Sequence, residues 1–188
     1  MPERNAVLFI DAENMPPSAA RAILDETERY GKLLERRIYG DFTRPSLAAW
    51  LDVVPRHALT VRHAVAGAAG KNGADIALVI DALDLSYTTD ATVFCLATCD
   101  GDFTQLAMRI RQARKTFIGM GMRHASARFR DACDVFTVID AAKEPVKRAG
   151  RVGKPARALK GDVLQRAFII APPLDGGWVD LQDRMKAV

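Results

Sequence analysis

The stretch ATVFCLATCDGDF, residues 91–103, begins as a nearly unbroken apolar run and ends with two aspartates two positions apart. A strand without polar alternation is buried on both faces, the mark of a central strand in a parallel sheet. Two carboxylates at the end of such a strand repel each other unless something positive lies between them. A doubly buried strand that delivers Asp100 and Asp102 to its carboxyl end therefore sets the reading of the rest of the chain.

Outward from this stretch, similar β-rich runs recur: AVLFI at 6–10, LLERRIYG at 33–40, LTVRHAV at 59–65, TFIGM at 116–120 and VFTVI at 135–139. Between them, residues 16–30, 46–54, 74–86, 103–114 and 125–132 carry apolar positions at mixed three and four spacing, which predicts helices. The alternation predicts an α/β fold, a mostly parallel central sheet flanked by helices on both faces. The first and fourth strands are the most continuously apolar, so they are read as central neighbours. Ligands of open parallel sheets sit beyond the carboxyl ends of the strands, where strand order reverses. Acidic residues ending strands one and four then share one crevice.

With 188 residues, 49% hydrophobic and 27% charged, the chain suits one soluble domain plus an appendage. No run approaches the roughly 18 to 20 apolar residues needed to cross a bilayer, and the apolar run in MPERNAVLFIDAEN is too short for a signal peptide. A cytoplasmic location is expected. Cys95, Cys99 and Cys133 form neither an even disulfide set nor a CxxC pair and read as reduced thiols. The net charge of +4 is unevenly spread: residues 1–140 carry −1 and residues 141–188 carry +5. Three segments follow: a domain over 1–140, a flexible basic linker over 141–160, and a short helical C-terminal segment over 161–188.

Four aspartates stand where this architecture aims side chains into the crevice: Asp11, Asp75, Asp100 and Asp102. Each alone has a plain account. Asp102 precedes a helix and suits an N-cap, Asp11 suits a turn, and Asp75 suits the dipole of a first helical turn. Together they need a cation, and Mg²⁺ or Mn²⁺, which take oxygen ligands and substrate phosphate oxygens, resolve the repulsion. Metal-assisted phosphodiester hydrolysis is the chemistry such a site performs. No GxGxxG follows strand one, Glu13 stands where an aspartyl phosphatase wants its second Asp, and His57, His63 and His124 lack zinc-ligand spacing.

VLFIDAEN at 7–14, RRIYGDFTRP at 36–45, KNGADIALVIDALDL at 71–85, TCDGDFTQLAMRIRQ at 98–112 and GMGMRHASARFRDACDVFTVID at 119–140 resemble the NYN domain of the PIN-like nuclease superfamily, most closely its LabA-like (DUF88) branch. The resemblance implies a Rossmann-like PIN fold and a Mg²⁺- or Mn²⁺-dependent endoribonuclease. It places metal ligands at Asp11, Asp100 and Asp102, with Asp75 as the fourth catalytic carboxylate and Asn14, Thr98 and Lys71 as substrate-binding positions. Thr98 keeps a hydroxyl where the family has Ser, while Cys99 and Arg114 replace residues that are commonly Gly. Asp81 is read as solvated or cap-like and Asp41 as a substrate contact. DGGWVDLQDRM, 175–185, resembles the start of an OST-HTH (LOTUS) module. RNA is the expected partner, a homo-oligomer is compatible with the sequence, and no membrane is involved. The alternatives are a catalytically weak or inactive RNA-binding adaptor on the same scaffold and a phosphatase of small phosphoesters.

Overall fold

The computed structural model describes residues 4–63 and 72–140, all within one compact unit. The expected linker at 141–160, the C-terminal segment at 161–188 and Lys71 lie outside the described residues.

Six strands, β1 (Asn5–Asp11), β2 (Lys32–Gly40), β3 (Thr60–His63), β4 (Val93–Ala97), β5 (Thr116–Gly121) and β6 (Val135–Val138), form one sheet in the order β3-β2-β1-β4-β5-β6. Every pairing is parallel. Five helices connect them: α1 (Ala20–Glu28), α2 (Ala48–Val53), α3 (Gly73–Thr88), α4 (Thr104–Gln112) and α5 (Ala127–Ala132). The expected α/β class is the one found, and the sheet is parallel throughout.

Period-two alternation explains why both faces of the sheet must be covered. Along β1, Ala6, Leu8 and Ile10 join Ile23 of α1 and Trp50 of α2 in one core. Val7 and Phe9 join Leu78 of α3, Leu106 of α4 and Phe129 of α5 in the other. Phe9 and Phe94 stack on that second side with ring centroids 6.3 Å apart, and Phe94 has no exposed surface. Truncating Phe94 to Ala would cost roughly 3–5 kcal/mol.

Helix starts follow proline chemistry. The helix expected from residue 16 begins at Ala20, after a 3₁₀ turn at Pro17–Ala19. Pro16 and Pro17 lack the N–H groups an α-helix interior would use, and proline is tolerated only at its first turn. A second 3₁₀ turn, Pro45–Leu47, precedes α2 in the same way.

The strand order places the functional crevice. From β1 the chain moves outward to β2 and β3, then returns through α3 to β4 on the other side of β1. Strand order therefore reverses between β1 and β4, whose register pairs Ile10 with Ala97. Their next residues, Asp11 and Thr98, emerge side by side at the carboxyl edge, where a parallel sheet opens its ligand crevice.

Candidate active site

Asp11 closes β1 and is almost wholly buried, 2% exposed. Its Oδ1 accepts the backbone N–H groups of Glu13 at 3.0 Å and Asn14 at 3.3 Å. Its Oδ2 accepts Asn14 Nδ2 at 2.8 Å and Thr98 Oγ1 at 2.7 Å. Burial pushes the Asp11 carboxyl above its ordinary range, and these four hydrogen bonds pull it back toward the charged form. The Asp-x-Glu-Asn turn predicted from sequence thus exists, and it fixes the carboxylate that the turn begins with.

Thr98 has no exposed surface. Its hydroxyl donates to Asp11 and accepts the Asp100 N–H at 3.1 Å, so one oxygen ties the end of β1 to the end of β4. In this arrangement Thr98 is buried and orients Asp11 and Asp100.

Asp100 Oδ1 accepts the Asp102 N–H at 2.9 Å and caps the 3₁₀ turn Gly101–Phe103 ahead of α4. The capping duty that sequence position suggested for Asp102 therefore belongs to Asp100. Asp102 is exposed at the mouth of the crevice. Between them Gly101 is required by packing: a Cβ there would stand 2.7 Å from Ser126 Oγ.

Asp75 arrives from another direction, the first turn of α3. Its carboxyl is pushed up to about 6, first by burial and then by the charges of Asp11, Asp100, Glu13 and Asp102. A shift with those causes is the signature of carboxylates sharing one space. Among the described residues, none of Asp11, Asp75, Asp100 and Asp102 is paired with a lysine or arginine.

Other expected positions resolve differently. Asn14 is exposed and bound to Asp11 through its amide. Asp41 Oδ1 accepts the backbone N–H and the hydroxyl of Thr43, which shapes the loop after β2. Asp81 is neither solvated nor a cap: its Oδ2 lies 2.9 Å from Arg37 Nη1 and accepts the Tyr39 hydroxyl at 2.7 Å. Arg62 Nε stands 3.2 Å from the same oxygen, at an angle that makes an ion pair without a hydrogen bond. Cys99 Sγ accepts the Met122 N–H at 3.3 Å, tying the end of β4 to the end of β5, and its thiol is pushed up chiefly by burial. Sequence reasoning missed the pairing of Glu13 with Arg44, 3.0 Å apart. The two residues come from successive βα loops, and no local pattern couples them.

The donor set fits a hard divalent cation, since all four side chains offer carboxylate oxygens and, among the described residues, no lysine or arginine pairs with them. Among the described residues no three His, Cys, Asp or Glu side chains close into a cage. The crevice is an open one, in keeping with an ion held by one or two carboxylates together with water and substrate oxygens.

The NYN domain profile, which describes a family made up typically of nucleases, matches residues 5–140, from the start of β1 to the residue that follows the last strand and its exit. The crystal structure of a protein of unknown function from Vibrio parahaemolyticus has the same fold, with 19% identity, a TM-score of 0.59, and coverage of 73% of this chain and 94% of that one. No curated protein matches the chain significantly. A six-stranded parallel sheet with aspartates at its β1/β4 switch point and a profile match across the whole sheet lead to one conclusion: the chain belongs to the NYN domain family.

Proposed function

We propose that the crevice hydrolyses RNA phosphodiester bonds with the aid of Mg²⁺ or Mn²⁺, and that the chain is a LabA-like endoribonuclease. One observation carries the reading: Asp75 is pushed up to about 6 by its burial and then by the charges of Asp11, Asp100, Glu13 and Asp102, with no cation paired to any of the four aspartates among the described residues. Such an arrangement is costly in a protein without a ligand that rewards it. Nucleases of this family generally use divalent metals.

Asp11, Asp100 and Asp102 would hold the ion, one or two of them directly and the rest through water. When bound, the ion supplies Lewis-acid stabilisation of the charge that grows on the phosphate and a more acidic water. Thr98 and the Glu13 and Asn14 N–H groups favour the charged form of Asp11 against its burial and fix its direction. Asp100, locked to the Asp102 N–H, cannot swing out of the crevice without breaking its cap. Asp75 faces the others from α3, and its high affinity for a proton suits it to hold and orient an attacking water. Asn14, exposed beside Asp11, is placed to meet a phosphate oxygen or a water. Lys71 and the basic segment 141–160 would draw in the RNA backbone that bare carboxylates repel. The OST-HTH-like start at the C-terminus would add RNA affinity, a cytoplasmic setting supplies the substrate, and self-association is compatible with the scheme.

The adaptor reading is favoured by Cys99 and Arg114, which depart from the family pattern. The test is cleavage of a labelled RNA of mixed structure by wild type and Asp100→Asn, in EDTA, Mg²⁺ and Mn²⁺. Cleavage that needs both the ion and Asp100 is expected. Unchanged cleavage by Asp100→Asn would sink the proposal, and RNA binding without cleavage by the folded wild type would put the adaptor in its place.

A further inference from the structure

Beside the crevice, between the loop that follows β1 and the loop that follows β2, lies a pocket of about 370 Å³. Its floor is apolar and fixed. Trp50 has no exposed surface, and its indole N–H donates to the Met15 carbonyl at 3.2 Å, while Leu47 packs in the same core. Pro16 and Pro17 supply a stiff wall with no N–H groups. The rim is polar: Asn14, Ser46 and Arg44 reach into it, with Arg44 resting 3.0 Å from Glu13 Oε2.

Three features say what the pocket takes. Its volume is at the low end of the roughly 300–1,000 Å³ range of ligand pockets, enough for a single small unit. Asn14 lines it while donating to Asp11 Oδ2 at 2.8 Å, so an occupant lies one side chain from the crevice. Arg44 keeps 56% of its side chain exposed, so its ion pair with Glu13 is weakly held and its fork is available for phosphate oxygens. A stiff proline wall, hydrogen-bonding groups at the rim and an exchangeable arginine match a nucleotide.

We propose that this pocket holds one nucleotide of the RNA strand adjoining the scissile phosphate, and that Arg44 exchanges Glu13 for a backbone phosphate when the strand enters. The assignment rests on the nuclease reading. The base lies against the half-buried rings of Pro16 and Pro17, and the Asn14 carbonyl and Ser46 hydroxyl face its edge or its ribose. Glu13 serves as a placeholder that keeps Arg44 over the pocket and then repels the incoming phosphate until Arg44 has moved.

The experiment measures binding of 5′-AMP and of a labelled oligoriboadenylate to the full chain in EDTA, where hydrolysis is off. It compares wild type, Arg44→Ala, Ser46→Trp, which blocks the rim from an exposed position, and Glu13→Gln. The expected result is that 5′-AMP displaces the oligonucleotide, that Arg44→Ala and Ser46→Trp weaken both ligands by about tenfold, and that Glu13→Gln tightens them. Binding indifferent to Arg44→Ala and Ser46→Trp would overturn the proposal even if RNA is cleaved in Mn²⁺. Binding of 5′-AMP without displacement of the oligonucleotide would overturn it in favour of a free nucleotide. RNA left uncleaved in Mn²⁺ while its binding still depends on Arg44 and Ser46 would remove the nuclease reading and leave the pocket assigned to the strand.

Discussion

Two aspartates of α3, six residues apart, meet opposite fates. Asp81 is clamped by Arg37, Arg62 and the Tyr39 hydroxyl, and its contacts tie the helix to β2 and β3. Asp75 has no cation beside it among the described residues and faces four other acidic side chains. Among the described residues, then, a carboxylate is neutralised where a helix must be fastened to the sheet, and carboxylates stand without a paired cation where the sheet opens. Burial alone does not explain the contrast, because the Asp81 clamp is itself half-buried. Uncompensated charge concentrated at a switch point is the arrangement of a binding site for a cation.

The largest effect expected from this contrast is on catalysis. Asp100→Asn removes one crevice charge while keeping an oxygen to cap the turn, and RNA cleavage should fall by at least about a hundredfold with an unchanged circular dichroism spectrum. Residual cleavage near the wild-type rate would break the contrast at once. Next in size, Asp81→Ala leaves Arg37, whose side chain is only 11% exposed, with Glu35 as its one remaining carboxylate among the described residues, and should lower stability by about 2 kcal/mol in urea unfolding. Its cleavage rate per folded molecule should hold, which separates the clamp from the crevice.

A smaller effect of opposite sign is expected at Asp75. Its proton is bound more tightly in the folded chain than in the unfolded one, so the folded state loses stability as pH rises from about 4 through about 6. Asp75→Asn should abolish that loss and raise stability at pH 8 in EDTA by about 1 kcal/mol, read as a thermal midpoint roughly 2–4 °C higher. Cleavage should drop in the same variant. The smallest change lies in neither region. Arg114 adopts a left-handed backbone, φ 60°, past the end of α4, where its N–H bonds the Arg111 carbonyl and Lys115 N–H bonds that of Ile110. Arg114→Gly should relieve that strain and add about 0.5–1 kcal/mol in the same urea assay, leaving cleavage as it was.

Arg114 also shows what the sequence could and could not disclose. The residue stood out as a departure from glycine at the end of an expected helix, yet only the backbone reveals the left-handed φ for which glycine is favoured there. The strand pattern was legible because β1 and β4 are buried on both faces and carry no polar alternation. The four aspartates were legible because each stands at the end of a strand or in the first turn of a helix. The partners of Asp81 were not, since Arg37 and Arg62 come from β2 and β3 and no local spacing announces pairings with residues so far along the chain. The bond from Thr98 to Asp11 was hidden for a related reason: a hydroxyl at a strand end faces either outward or across to the neighbouring strand, and only the β1/β4 register decides which.

The central claim is that Asp75 and its neighbours are held uncompensated in order to share a divalent cation. The most direct measurement is a carboxyl-carbon NMR titration of Asp75 in the wild-type chain, with and without Mg²⁺. The account predicts titration near 6 in EDTA and a marked downward shift when Mg²⁺ is added, lost in Asp100→Asn. An Asp75 that titrates in the ordinary aspartate range and ignores Mg²⁺ would contradict it.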